Sequence, residues 1–333
     1  MQKLSLVEKF SSATQLSWFR LMRSKIHSVT TQIKSITEDL NNVKIFTLSD
    51  PEGWPLPRFN PGAHLDVYLQ SGLIRQYSLC GDPKNVSQYK IAVQKEKNGR
   101  GGSNEIHSLK EGMILPVSLP RDHFPLAKAS RHIFIAGGIG ITPFLSMLPQ
   151  LIRENVDWEL HVCAKTEAEI ACQSLLELYE KNTNFFKHLS NSGTRLSINS
   201  VISKISCDEH LYCCGPTLMI KDAVKNGISL GDRLHFERFG FDDDLNDADY
   251  QIILKKSGRI VQVPKGQTML GALRVADIKV PASCEGGICL ECKTRFFEGS
   301  PIHRDLVMHP DDRSRFLTPC VSSCSSESIE LDL

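Results

Sequence analysis

The sequence predicts a multidomain α/β plus β chain: an antiparallel β-barrel, a doubly wound domain with a parallel sheet, and a small C-terminal domain around a cysteine loop. Three observations carry this expectation. Six short strand patterns, separated by Gly, Pro, Asn and Asp clusters, crowd residues 27–120. From Arg131 the pattern becomes strands alternating with amphipathic helices, which builds a parallel sheet. Near the C-terminus three thiols sit in C-E-G-G-I-C-L-E-C-K, Cys284 to Lys293, and Cys320 follows.

The bulk properties agree. At 333 residues the chain exceeds one ordinary domain, and its composition (41% hydrophobic, 23% charged) is that of a globular protein. A net charge of +1 gives no reason to expect nucleic acid or an anionic membrane surface as partner, although the residues after 240 are mildly acidic. No apolar run is long enough to cross a membrane, and the N-terminus lacks the apolar core of a signal peptide. A cytoplasmic location follows as the expectation. There thiols stay reduced, so an odd count of 11 cysteines is not read as a disulfide framework.

The elements follow in order. Phe10, Trp18, Phe19, Leu21 and Met22 suit one side of a helix that packs on the barrel or docks a partner. The barrel strands are HSVTTQIKSI, VKIFTL, HLDVYLQ, RQYSLC, YKIAVQKE and MILPVSL, with one helix near Ser103–Leu109. RHIFIAGG, WELHVCAK, EHLYCCG and RLHFERF are the strands of the second domain. TPFLSMLPQLIREN, EAEIACQSLLELYEK and PTLMIKDAVKNG are its helices. FGFDDDLNDAD reads as a linker, YQIILKKSGRIVQVPKG as a hairpin around Ser257-Gly258, TMLGALRVAD as a helix and SIELDL as a last strand.

The spacing C-x4-C-x2-C-x27-C, from Cys284, Cys289, Cys292 and Cys320, matches neither the tight run of a four-iron cluster nor paired zinc knuckles. It matches the plant-type [2Fe–2S] pattern. Such a cluster carries negative charge, so backbone N–H groups must converge on it, and Gly286 and Gly287 let the loop wrap closely. Cys324 is the rival fourth ligand. Cys80, Cys163, Cys172 and Cys207 are expected to be small buried hydrophobes.

A one-electron cluster cannot accept a hydride, so a flavin is expected upstream. In R-Q-Y-S (Arg75, Gln76, Tyr77, Ser78), the arginine suits a phosphate, the tyrosine a ring face and the serine a ring edge. G-R-G-G-S, with Gly101, Gly102 and Ser103, opens a helix and can hold a phosphate, or is a plain glycine turn with Ser103 as N-cap. A-G-G-I-G-I-T-P (Gly138, Gly140, Thr142, Pro143) follows a strand and is a shortened dinucleotide fingerprint, with Thr142 placed to cap the helix. Y-C-C-G-P (Cys214, Gly215, Pro216) ends another strand, placing Cys214 near a nicotinamide. No acidic residue ends the strand at Cys163 and Lys165 is cationic, which leaves NADH and NADPH both open.

In this order, R-Q-Y-S, G-G-S, G-G-I-G-I-T-P, Y-C-C-G-P, F-E-R-F and the four cysteines resemble the phthalate dioxygenase reductase family, of which vanillate demethylase reductase is a close member. The resemblance covers residues 27 to 333. It implies a flavin-binding barrel over 27–126, an NAD-binding α/β domain over 127–240, a linker over 241–249 and a plant-type ferredoxin (β-grasp) domain over 250–333. Residues 1–26 are an extension whose role is not transferred. The cofactors implied are FMN rather than FAD, NADH, and one [2Fe–2S] cluster held by the four cysteines. Arg75, Gln76, Tyr77, Ser78, Gly101, Gly102 and Ser103 would hold FMN. Gly138, Gly140, Thr142, Pro143, Cys214, Gly215 and Pro216 would hold NADH. Cys214, Glu237 and Phe239 would line the reacting rings. The implied partner is a terminal oxygenase of the Rieske non-haem iron type, acting on a small aromatic or alkylamine-type substrate. A di-iron or haem oxygenase as acceptor, or a zinc-holding nucleotide sensor, are the alternatives. Leu290-Glu291 stands where the family has a small Gly-Thr pair.

Overall fold

The computed structural model describes residues 28–96, 101–239, 247–282 and 284–333. The N-terminal helix expected over the first 26 residues, Gly99 and Arg100 of the glycine turn, and most of the acidic linker lie outside them.

The described residues fall into two compact units. The first runs to Leu126 and takes in Thr142–Asn155 and Ala171–Leu178. Its strands are β1 (Ser28–Asp39), β2 (Val43–Ser49), β3 (His64–Tyr68), β4 (Ile74–Ser78), β5 (Tyr89–Gln94) and β6 (Ile114–Ser118). They form one antiparallel sheet in the order β4-β3-β6-β1-β2-β5. Asn41 and Asn42, at φ 57° and 55°, make the tight turn between β1 and β2, a conformation that asparagine tolerates. The two edges meet in a bridge between Leu79 and Ile91, so the sheet curls into a barrel rather than lying open. Inside are Ile33, Phe46, Leu48, Leu65, Val67, Ile91 and Val117, all fully buried. Each such side chain contributes about 1.5–3 kcal/mol of transfer free energy. The short helix α1 (Gly102–Ser108) adds Ile106 to this core.

Helix α2 (Thr142–Glu154) belongs to the same unit; its Ser146 hydroxyl accepts from the Gly62 N–H at 2.9 Å. The long helix expected over EAEIACQSLLELYEK does not form. It breaks into a 3-10 turn at Glu167–Glu169 and the single turn α3 (Gln173–Leu176), with Cys172 left-handed at φ 58°. The cause is tertiary: Asp39 accepts the N–H groups of Gln173 (3.0 Å) and Ser174 (3.1 Å) and starts a new helix there.

The second unit holds β7 (Arg131–Gly137), β8 (Asp157–Ala164), β9 (Phe185–Leu189), β10 (Glu209–Cys214) and β11 (Leu234–Glu237). All pair in parallel, in the order β11-β10-β7-β8-β9. The chain builds outward from β7 to β9, then returns to the other side of β7. The topological switch point, where such sheets bind ligands, therefore lies between β7 and β10 at their carboxyl ends. Strand β9 and the short helix α4 (Ile198–Ile202) are absent from the sequence reading, because F-F-K-H-L is only five residues long and lacks apolar–polar alternation, and I-N-S-V-I is too short to show a helical period. Helix α5 (Thr217–Asn226) packs Ile220 and Ala223 onto Ile133, Ile135, Leu211 and Cys213.

The C-terminal part has β12 (Tyr250–Leu254), β13 (Ile260–Val263), α6 (Met269–Val275), the two-residue strands β14 (Thr294–Arg295), β15 (Pro301–Ile302), β16 (Phe316–Leu317) and β17 (Ser323–Cys324), and β18 (Ser328–Leu331). β12 pairs antiparallel with β13 through the expected hairpin and parallel with the last strand, β18. Leu273 of α6 packs on that sheet with Ile252, Val261 and Ile329, giving the β-grasp arrangement. Among the described residues no helix is long and apolar enough to cross a membrane.

Candidate functional site

The cysteine loop follows α6. Cys292 and Cys320 approach to 3.2 Å between sulfurs, and Cys284 is hydrogen-bonded to Cys289. The four predicted ligands thus come together as two neighbouring pairs. Cys324 does not join them: it sits in β17, in contact with Ser326 and the Ser328 carbonyl, within the sheet core. Backbone amides converge as the chemistry requires. Gly286 and Ile288 donate to the Cys284 sulfur, and Gly287 to that of Cys320. Four thiols with inward N–H groups suit an anionic iron–sulfur cluster.

Positive φ is distributed differently from expectation. Gly287 has it (φ 72°), and a Cβ there would fall 2.7 Å from Val321, but Gly286 does not. Glu285 (φ 47°) and Leu290 (φ 57°) take the left-handed conformation instead, although neither is glycine. Glu285 is held by Arg274 of α6 at 2.8 Å. Leu290 is the position where the resemblance leads one to expect glycine. Of the remaining cysteines, Cys80 and Cys172 are buried and Cys163 is half-buried, as small hydrophobes; Cys207 is exposed, contrary to expectation, because it lies in the loop before β10.

At the switch point the two nucleotide motifs interlock. The residues after β7 form a 3-10 turn, Gly138–Ile141, that runs into α2, so Thr142 is a buried first helical residue and not a free-standing cap. Ala136 is registered beside Cys214. A Cβ on Gly140 would lie 2.2 Å from the Cys214 carbonyl oxygen, and one on Gly137 would lie 2.5 Å from Pro216 Cδ. Only glycine permits this approach. Gly138, at φ 54°, has open space where a Cβ would stand and so presents backbone outward.

Cys214 is registered against Glu237 of β11. Burial, then the neighbouring Glu237, pushes the Cys214 thiol far up, so it is neutral. Glu237 Oε2 lies out of solvent with no hydrogen-bond partner among the described residues, and burial raises its carboxyl to about 8. Phe239 follows, half-buried.

In the barrel, R-Q-Y-S occupies β4. Tyr77 is pushed up to about 12 by burial, with Arg75 opposing, so it remains a phenol. Arg75 lies across the start of α1, where a Cβ on Gly102 would come within 2.4 Å of its Nε. Gly101, at φ 81°, is the N-cap; Ser103 sits inside the helix and accepts from the Glu96 N–H at 3.1 Å. Among the described residues Ser78 Oγ is buried without a hydrogen-bond partner, and so are both ring nitrogens of His64, its direct neighbour across the ladder. Burial lowers His64 to about 3, keeping it neutral. Orphaned polar atoms of this kind fit the polar edge of a bound ring. His64 went unnoticed in the sequence, where a histidine opening a strand carries no signal.

Comparison with known proteins gives the following. Residues 252–325 match the 2Fe-2S iron-sulfur cluster binding domain, and residues 134–225 the oxidoreductase NAD-binding domain. The chain is 36% identical over 313 residues to carnitine monooxygenase reductase subunit of Escherichia coli, covering 91% of this chain and 96% of that protein. It is 37% identical over 297 residues to phthalate dioxygenase reductase of Burkholderia cepacia, covering 86% and 92%. A solved phthalate dioxygenase reductase, described as modular for electron transfer from pyridine nucleotides to [2Fe-2S], superposes with a TM-score of 0.79 at 35% identity, covering 92% of this chain and 98% of that one.

Proposed function

Because the chain belongs to the phthalate dioxygenase reductase family, the reductase components of two-component oxygenase systems, we propose that its terminal oxygenase is of the Rieske non-haem iron type and acts on a small aromatic or alkylamine-type substrate. The chain is an oxidoreductase that passes electrons from NADH through a flavin to a [2Fe–2S] cluster and on to that oxygenase. The observation that carries this reading is the convergence of four cysteines at plant-type spacing in a chain that also holds two glycine-locked loops at a parallel-sheet switch point. A zinc-holding sensor is not favoured by these comparisons.

When bound, FMN supplies the change from two-electron to one-electron transfer, and the cluster carries single electrons. The protein's own residues do the positioning. In this proposal Arg75, Gln76, Tyr77, Ser78, Gly101, Gly102 and Ser103 hold FMN. The loops at Gly138, Gly140, Thr142, Pro143, Cys214, Gly215 and Pro216 receive NADH. Cys284, Cys289, Cys292 and Cys320 hold the cluster. Cys214 and Glu237, both neutral, line the nicotinamide end with Phe239 and exclude water without adding charge. The corresponding domains are 27–126, 127–240 and 250–333, with 241–249 as linker, and the location is cytoplasmic.

The test of the partner is reconstitution of the purified reductase with separate Rieske, di-iron and haem oxygenases, following substrate-dependent NADH oxidation. Coupling to the Rieske enzyme is expected. Coupling to one of the other two alone would overturn the assignment.

A further inference from the structure

A second site lies in the nucleotide-binding unit, away from the switch point. Parallel sheets are ordinarily covered on both faces and read as aliphatic runs. Here one face of β8 and β9 instead carries Glu159, His161, Phe186 and His188. They line a cavity of about 360 Å3 that begins at Arg131, the first residue of β7. The helix in the β9-to-β10 connection is only the five-residue α4, too short to cover that half of the sheet. The cavity is of the size that holds a single-ring ligand rather than a dinucleotide.

Its chemistry is specific. His161 bridges Glu159 (2.7 Å) and His188 (2.9 Å), and burial lowers both imidazoles, so this wall is polar but carries no positive charge. Arg131 is answered by Glu159 and by Glu209, the latter at 3.5 Å. Phe186 stacks one face on His161, with centroids 5.2 Å apart, and remains 40% exposed on the cavity side. The segment from 195 to 205 adds the apolar side chains of Leu196, Val201 and Ile205 to the lining, together with Ser197 and Ser200. At the rim stand Arg195 and Lys204, and neither has a carboxylate partner among the described residues. The lining as a whole has three cations and two carboxylates, a net single positive charge, with an exposed aromatic face beside Arg195 and Lys204.

We propose that this cavity binds a small aromatic carboxylate, its ring on Phe186 among the apolar side chains and the histidines, its carboxylate on Arg195 and Lys204. Single-turn α4 offers no N-terminal anion site, so the charge is met by side chains, and the ring supplies the apolar contact.

The probe is benzoate, titrated calorimetrically into the purified holoenzyme, with and without saturating NAD+. Saturable one-to-one binding is expected, unchanged by NAD+ and weakened about tenfold or more in the double variant R195A/K204A, whose side chains are exposed and outside the redox sites. Benzyl alcohol, the same ring without the charge, is expected to bind at least about tenfold more weakly. Absence of saturable binding, displacement by NAD+, equal affinity for benzyl alcohol, or full affinity in the double variant would each overturn the proposal.

Discussion

Leu290 illustrates how a single residue records the demands of a site. A left-handed backbone costs an L-residue roughly 1–2 kcal/mol, while glycine there loses part of that gain to unfolded-chain entropy. Leu290→Gly is therefore expected to stabilise the cluster loop by at most about 1 kcal/mol and to slow cluster loss, followed by bleaching of the visible absorbance in chelator. Gly287→Ala acts in the other direction. It adds a Cβ at φ 72° and 2.7 Å from Val321, so iron per chain in the purified protein is expected to fall well below that of wild type. Glu237 gives a pH signature. Its carboxyl is raised from 4.5 to about 8 by burial. Between those values only the unfolded chain releases this proton, so stability declines as pH rises through the window. Glu237→Gln, which keeps the shape without the charge, should flatten that slope in denaturant unfolding measured from pH 5 to 8.

Between elements, contact is made where side chains are missing. The turn after β7 and the turn after β10 touch backbone to backbone because Gly137, Gly140 and Gly215 have no Cβ. The clash at Gly140 is with a carbonyl that cannot move aside, so Gly140→Ala is expected to push the loops apart and raise the KM for NADH by about tenfold or more, with the flavin still bound. At α1 the obstacle differs. The three atoms nearest a Cβ on Gly102 all belong to the flexible Arg75 side chain. Gly102→Ala should therefore leave unfolding stability nearly unchanged yet increase FMN loss on gel filtration, a separation of effects that a purely structural glycine would not give.

For the whole molecule, the expected outcome is spectroscopic. An anaerobic NADH titration should bleach flavin and cluster absorbance together, and Cys320→Ser should abolish the cluster part while sparing the flavin part. If Cys324→Ser rather than Cys320→Ser removed the cluster, the ligand set would be wrong. The sulfur geometry, with Cys320 at 3.2 Å from Cys292 and Cys324 in the sheet core, argues for the first outcome.

Local patterns by themselves determined the barrel strands, the βα alternation and the four-cysteine spacing, because alternation, turn residues and ligand spacing are written in contiguous stretches of chain. Tertiary structure alone decided the rest. The helix break at Cys172 depends on Asp39, far away in sequence. The switch point needs the strand order β11-β10-β7-β8-β9, which no local segment encodes. His64 and Ser78 become a pair only when β3 and β4 are in register. The polar wall over β8 and β9 becomes a cavity only because the helix beside it is too short to cover it. In each case the deciding partner is brought near by the fold and not by the chain's own neighbourhood.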